Sequence, residues 1–185
     1  MKDFKICELD LEKDIPIITQ WDKSFSGTKE YEGIQKFILE DDLTSNLTKL
    51  IETNYEQEPI GDDEVKKIMV AKTSDGDILG FLIFQVYDMS INRPKMFLQY
   101  IVINPEFQHQ GYGKEIFSEF FSKPRKYTGV SPKNIFAVID KENFASMKLF
   151  LDLGFDLDLR VNQFFMAKGI LPEIQKRIQS AYSPS

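Results

Sequence analysis

A chain of 185 residues, 42% hydrophobic and 28% charged, is long enough for one well-buried domain, short for two, and unlike a disordered or fibrous protein. Its net charge of -6 excludes a general binder of nucleic-acid backbone, which needs clustered Lys and Arg to displace counterions, and suits a cationic small molecule better. A single cysteine, Cys7, rules out an intramolecular disulfide, and a single histidine, His109, leaves no Cys/His set for zinc, so no metal is expected and a cytoplasmic location is.

At the amino terminus, MKDFKICELD carries acidic residues where a signal peptide needs an apolar core. No apolar run approaches the ~18 residues that cross a bilayer, so no membrane partner is expected. Lys5 to Leu9 alternates as a strand does, and Asp10 is placed to cap a helix from Leu11 to about Trp21, with Pro16 inside it. Between residues 33 and 55, Ile34, Phe37, Ile38, Leu43, Leu47, Leu50 and Ile51 fall at helical spacing and predict two helices. This stretch is strongly acidic: between Glu30 and Glu64 the basic residues are Lys36 and Lys49. Such a cluster is ordinarily a solvated helix face. Its functional reading is a negative field that draws in a polyamine, an aminoglycoside-like amine or a basic peptide end, with Trp21 and Tyr31 lining the mouth or simply packing.

Two apolar runs, Ile68 to Ala71 and Ile78 to Tyr87, flank SDGD, in which Asp75-Gly76 signals the tight turn of a β-hairpin. Residues 96 to 103, MFLQYIVI, predict another strand. A helix over 113 to 122 follows, with Ile116, Phe117, Phe120 and Phe121 as its apolar stripe and Pro124 as its stop. NIFAVI, 134 to 139, reads as a buried strand, and NFASMKLFLDLGF as a helix closed by Gly154. Two short strands near 156 to 160 and 163 to 168 and a polar helix from Pro172 complete the chain. The order predicts an α/β fold with a mixed sheet, organised as a domain over 1 to 170 and a C-terminal helix and tail over 171 to 185.

Between strand 96 to 103 and the next helix lies QHQGYGKEIF. A helix N-terminus offers unpaired N–H groups and the positive end of a dipole, and glycines let the main chain approach an anion without a Cβ in the way. Residues 108 to 113 are therefore an anion-cradle candidate. A P-loop fails here, because position 108 is Gln and position 115 is Glu, and a dinucleotide fingerprint fails because position 116 is Ile. The pattern [QR]-x-x-G-x-[GA] fits through Gln108, Gly111 and Gly113. On these residues the sequence resembles the GNAT superfamily of acyl-CoA-dependent N-acyltransferases. YIVINPEFQHQGYGKEIF is similar to its motif A. VIDKENFASMKLFLDLGF is similar to its motif B, with Asn143, Ala145, Leu149, Leu153, Gly154 and Phe155 in the expected places. Motif B also departs from the family where a tyrosine is usual, seven residues after Asn143, because this chain has Phe150.

The resemblance implies a mostly antiparallel GNAT sheet splayed between its fourth and fifth strands and flanked by helices, with acetyl-CoA as cosubstrate in the opening. Main-chain groups of Ile101, Val102 and Ile103 would hold the pantetheine arm as an added strand edge does. The N–H groups of Gln108, His109, Gln110, Gly111, Tyr112 and Gly113 would hold the pyrophosphate, and Asn143 the pantetheine. The activity implied is transfer of acetyl to a primary amine of a small cationic molecule or peptide. The alternatives are an acyl-CoA-binding module with little turnover and a protein–protein adaptor using only the fold. Dimers are common in the superfamily, which leaves a homodimer open. The Glu that the family often uses as base maps to Phe97 or Val138. With those positions and Phe150 apolar, the catalytic residues are unassigned, and Tyr100, Gln99 and Asp88 are the polar candidates nearby. Bland readings stay beside these: a sharp turn for the glycines, a solvent-facing loop residue for His109, a helix cap for Asn143, core for Phe150.

Overall fold

The structure, a computed structural model, describes residues 3–21, 51, 64–87, 94–161 and 164–182. Apart from Ile51 and Glu64, the acidic segment and its two expected helices lie outside the described residues, as do Tyr31 and Asp88. Strand β1 (Phe4–Glu8) leads into helix α1 (Leu11–Ile18), opened by Asp10, whose carboxylate accepts the Lys13 N–H at 3.2 Å. Pro16 lacks the N–H that would continue the ladder, and the helix ends at Ile18, short of Trp21. Asp14, 1% exposed, accepts from the Lys72 ammonium at 2.5 Å and from the Asp10 N–H at 2.9 Å, which pins the helix to the sheet.

Strands β2 (Val65–Thr73) and β3 (Ile78–Tyr87) form the expected hairpin, with Gly76 in the turn and Thr73 paired to Asp77 at its base. Then come β4 (Lys95–Ile103), a 3-10 turn over Pro105–Phe107, α2 (Tyr112–Ser122), α3 (Pro124–Thr128), β5 (Asn134–Asp140), α4 (Phe144–Asp152), β6 (Asp156–Val161), β7 (Phe164–Ile170) and α5 (Leu171–Tyr182). Pro124 does stop α2, but its fixed φ also suits the first turn of a helix, so it opens the unforeseen α3. The strands form one sheet in the order β1-β2-β3-β4-β5-β7-β6. Among the described pairs, β4 and β5 run parallel and the rest antiparallel, so the sheet is mixed as expected. No helix among the described residues is long and apolar enough to cross a membrane.

Each face of the sheet carries its own core. On one face α2 buries Ile116, Phe117, Phe120 and Phe121, the stripe read from its spacing, against Phe84, Phe150 and Phe155. Phe150 meets Phe117 and Phe155 edge-on, at ring separations of 5.4 and 4.8 Å. Helix α5 adds Ile174 and Ile178 to this core, and its polar side chains finish two neighbours: Gln175 donates to the Phe121 carbonyl (3.0 Å) and Arg177 to the Leu151 carbonyl (3.3 Å). On the other face, Ile18, Ile51, Phe81, Ile83 and Val102 surround Trp21, which stacks on Phe81 and is 5% exposed. Trp21 therefore packs.

Candidate active site

The site begins where two neighbouring strands part. Strands β4 and β5 pair from Lys95↔Asn134 to Leu98↔Ala137, and no further pairing joins them although β4 runs on to Ile103 and β5 to Asp140. Against β3, the register of β4 steps from Phe84↔Leu98 to Ile83↔Tyr100, so Gln99 is the extra residue of a β-bulge. A bulge reverses which side chains face which way. Met96 and Leu98 pack in the core under α2. Beyond Gln99 it is Ile101 and Ile103 that pack on that side, while Tyr100 and Val102 turn to the core around Trp21. The fork and the bulge fall on adjacent residues.

Within the fork lies a cleft of about 80 Å³, lined on β4 by Leu98, Gln99, Tyr100 and Ile101, on β5 by Ala137, Val138, Ile139 and Asp140, and closed by Asn143, Ser146 and Phe150. It adjoins a groove of about 420 Å³ that shares Ile101, Asn143 and Ser146 with it and runs between the end of β4, the loop 107–113 and the outer side of α4. Ile101, Val102, Ile103, Gln108, His109, Gly111, Tyr112, Gly113 and Asn143 all line this groove, so most of the residues singled out in the sequence meet there. Gln110 does not line it; its side chain donates back to the Glu106 carbonyl at 2.9 Å.

Local chemistry sets the loop. The Asn104 side chain accepts from the Glu106 N–H (3.1 Å) and donates to the Ile78 carbonyl (2.9 Å), fixing the strand end to the 3-10 turn. The Asn104 N–H donates to Leu79 in β3, so the Ile103 carbonyl points to the opposite, open side, where the Gln108 side chain donates to it at 3.1 Å. By strand alternation the main-chain groups of Ile101 face the same opening. His109 and Gly111 have φ of +58° and +84°, left-handed backbone at alternate residues of the kind that forms anion-binding concavities. No side chain caps α2 at Gly111, and a helix leaves its first-turn amides outside its own ladder. A Cβ at Gly111 would meet nothing within 4 Å, so the glycine answers to its φ. A Cβ at Gly113 would lie 3.6 Å from Ile103 and 3.7 Å from Leu149, ordinary contacts with two side chains of the groove wall.

Asn143 opens α4, its side-chain oxygen accepting from the Ser146 N–H at 3.0 Å. The carboxamide nitrogen has no partner among the described residues, and Asn143 lines both the cleft and the groove. Of the catalytic candidates, Gln99 and Tyr100 line the cleft and Asp88 lies outside the described residues. Burial pushes the Tyr100 hydroxyl above its ordinary range, which makes it a donor and not a base at neutral pH. Phe150 is 2% exposed and part of the core, Val138 lines the cleft as an apolar wall, and Phe97 sits below the fork opposite Phe136. Sequence reading missed Asp140, the carboxylate lining the cleft, whose Oδ1 accepts the Glu142 N–H at 2.8 Å. Its position three residues before the cap Asn143, at the end of a strand, was the available signal. It also missed Lys114 and Lys148, two cationic side chains at the groove.

A model of the Acetyltransferase (GNAT) family matches residues 32–155, and no curated protein sequence matches the chain. Among solved structures, spermidine N-acetyltransferase from Vibrio cholerae, in complex with CoA and spermine, superposes with a TM-score of 0.64 at 13% identity, over 93% of this chain and 98% of that one. An uncharacterized protein from Bacillus halodurans gives 0.68 at 14% identity, over 97% and 93%. A putative acetyltransferase from Acinetobacter baylyi gives 0.60 at 14%, over 90% and 92%. At such identities the likeness is one of fold. The family match spans more than half of the sequence and contains both the fork between β4 and β5 and the uncapped helix α2, and on it the chain belongs to the acetyltransferase (GNAT) family of acyl-CoA-dependent enzymes.

Proposed function

We propose that the protein transfers the acetyl group of acetyl-CoA to a primary amine of a small cationic molecule or peptide. The observation that carries this reading is the conjunction of an unpaired β4 edge with an uncapped helix N-terminus along a single groove. The edge at Ile101 and Ile103 suits the amide-bearing pantetheine arm, residues 108 to 113 suit the pyrophosphate, and the Asn143 nitrogen is a donor between them. Lys114 and Lys148 add positive charge where a phosphorylated ligand would lie. When bound, acetyl-CoA supplies an activated thioester. Gap-facing N–H groups of β4 are the donors for charge developing on its carbonyl oxygen.

Among the described residues that line the cleft, Tyr100 stays protonated and Gln99 does not titrate, which leaves Asp140 as the carboxylate there to take the amine proton, through water. Orientation supplies the rest, since holding two reactants in place removes roughly 7–11 kcal/mol of barrier. The acidic stretch from Glu30 to Glu64 supports a cationic acceptor, as does the polyamine named for the Vibrio cholerae structure. Raising salt should then raise KM for the amine more than for acetyl-CoA, and equal sensitivity would remove the steering role. The apolar Phe97, Val138 and Phe150 favour a second reading, a CoA-binding module without turnover. Calorimetry with acetyl-CoA, followed by free-thiol release with spermidine, kanamycin, lysine and a free tetrapeptide, decides. Binding with release supports transfer, binding without release supports the module, and no binding ends both.

A further inference from the structure

We propose that the Ser146 hydroxyl is a catalytic donor: it gives a hydrogen bond to the coenzyme sulfur as the thiolate departs. The proposal rests on the acetyl-transfer reading above and adds a residue that reading does not use. Cleft and groove share Ile101, Asn143 and Ser146. With the pantetheine arm in the groove and the acyl group in the cleft, the sulfur that joins them belongs where the two openings meet. Of the shared residues Ile101 is apolar and Asn143 already serves the arm, which leaves Ser146 for the sulfur. Ser146 is half-buried, and its hydroxyl has no hydrogen-bond partner among the described residues. Nor is it one of the fully buried side-chain atoms without a partner among them, which are Gln99 Oε1 and Ser118 Oγ, so the Ser146 hydroxyl keeps accessible surface.

The helix sets the group in place. Asn143 caps α4 by accepting the Ser146 N–H at 3.0 Å, which fixes the backbone of that turn while the hydroxyl stays free to rotate toward an acceptor. Phe150, one turn further along the same side of α4, brings an apolar ring to the cleft and no donor. In the transfer the C–N bond forms, the C–S bond breaks, and its electron pair leaves with the sulfur. Ser146 keeps its proton and shares it with a sulfur whose charge grows through that step, so its hydrogen bond is stronger in the transition state than in the ground state. The proton that Asp140 takes from the amine ends on the sulfur through water, giving amide and thiol. Leu98, Ala137, Ile139 and Phe150, apolar cleft residues 2–4% exposed, keep the local dielectric low and strengthen such a bond.

The first test needs no acceptor. With protein in excess over CoA, the thiol of bound CoA is titrated by its thiolate absorbance in the ultraviolet, after subtraction of the CoA-free protein, whose tyrosines and Cys7 also absorb. A donor to the thiolate lowers the thiol pKa, so Ser146→Ala should raise it by about one unit against wild type, and Ser146→Thr, which keeps a hydroxyl, by less than about 0.3. Steady-state kinetics use whichever of spermidine, kanamycin, lysine and a free tetrapeptide turns over fastest. There kcat should fall about tenfold in Ser146→Ala and stay within about threefold of wild type in Ser146→Thr, with KM for acetyl-CoA within about twofold in both. Acetyl-CoA binding by calorimetry confirms that each variant is folded. A bound-thiol pKa unmoved by Ser146→Ala, an unchanged kcat in that variant, or a Thr variant no better than Ala would each overturn the proposal while leaving acetyl transfer intact. Failure of the wild-type protein to bind CoA would instead remove the functional reading and this inference together.

Discussion

The two ends of the β4/β5 opening are built from different material. Toward the groove the groups proposed to meet the coenzyme belong mainly to the backbone: the β4 edge at Ile101 and Ile103, the left-handed loop at His109 and Gly111, and the bare start of α2. Toward the cleft the lining residues Gln99, Tyr100, Val138 and Asp140 carry side chains of four different chemistries, amide, phenol, aliphatic and carboxylate. A backbone site constrains sequence through what it forbids, so it leaves glycines and caps at fixed spacing. A side-chain site can change its chemistry one residue at a time without disturbing a backbone site beside it.

The sharpest way to break this contrast is to add a side chain where the backbone is meant to act alone. Gly113→Leu should cut acetyl-CoA affinity by about a hundredfold or more while costing comparatively little stability, because the first added carbon makes only ordinary contacts with Ile103 and Leu149. Gly111→Val should lose both, since a β-branched residue at φ +84° is strained by about 1–3 kcal/mol. Calorimetry and thermal melts on the pair separate occupancy from strain; equal destabilisation would undo the distinction.

Asn143 belongs to both ends, and substitution should separate its roles. Asn143→Ser keeps a cap for α4 and should hold its melting temperature, whereas Asn143→Leu should lose about 1 kcal/mol. Both should weaken acetyl-CoA binding about tenfold through the lost carboxamide nitrogen. Full affinity in the Ser variant would show that the cap is the whole of its role. Phe150→Tyr restores the phenol usual in the family, and kcat should rise by about threefold to tenfold with acetyl-CoA affinity unchanged, a gain within the range of acid catalysis. No gain would mean that protonation of the leaving thiolate does not limit the rate. The smallest effect is a pH one. Tyr100 is raised by burial, so its hydroxyl stays neutral until above its ordinary value near 10, and the pH–rate profile should show no descending limb from it below about pH 10. A limb near pH 9 that vanishes in Tyr100→Phe would contradict this.

The contrast also explains which parts of the molecule could be read from sequence. Gly111, Gly113, Asn143 and Gly154 act through local backbone geometry, and the α2 stripe through helical spacing, so each left a pattern within a few residues. The bulge at Gln99 left none. MFLQYIVI reads as an unbroken strand, and only the register against Ile83 and Phe84 shows that its facing reverses midway. The parting of β4 from β5 is likewise a relation between segments: neither Leu98 nor Ala137 announces that pairing stops there, and it was expected only through the resemblance. For Asp140 the local signal was its place at a strand end three residues before Asn143, and the gap shows that this strand end opens on the cleft.

Helix α5 ties this arrangement from behind. Gln175 and Arg177 hold the rear ends of α2 and α4, and the front ends of those same helices border the groove. The carboxy-terminal helix thus works as a tie-beam, setting the angle between two rods whose far tips must stay a fixed span apart, so that wear at the back of the molecule would be felt as slackness at the front.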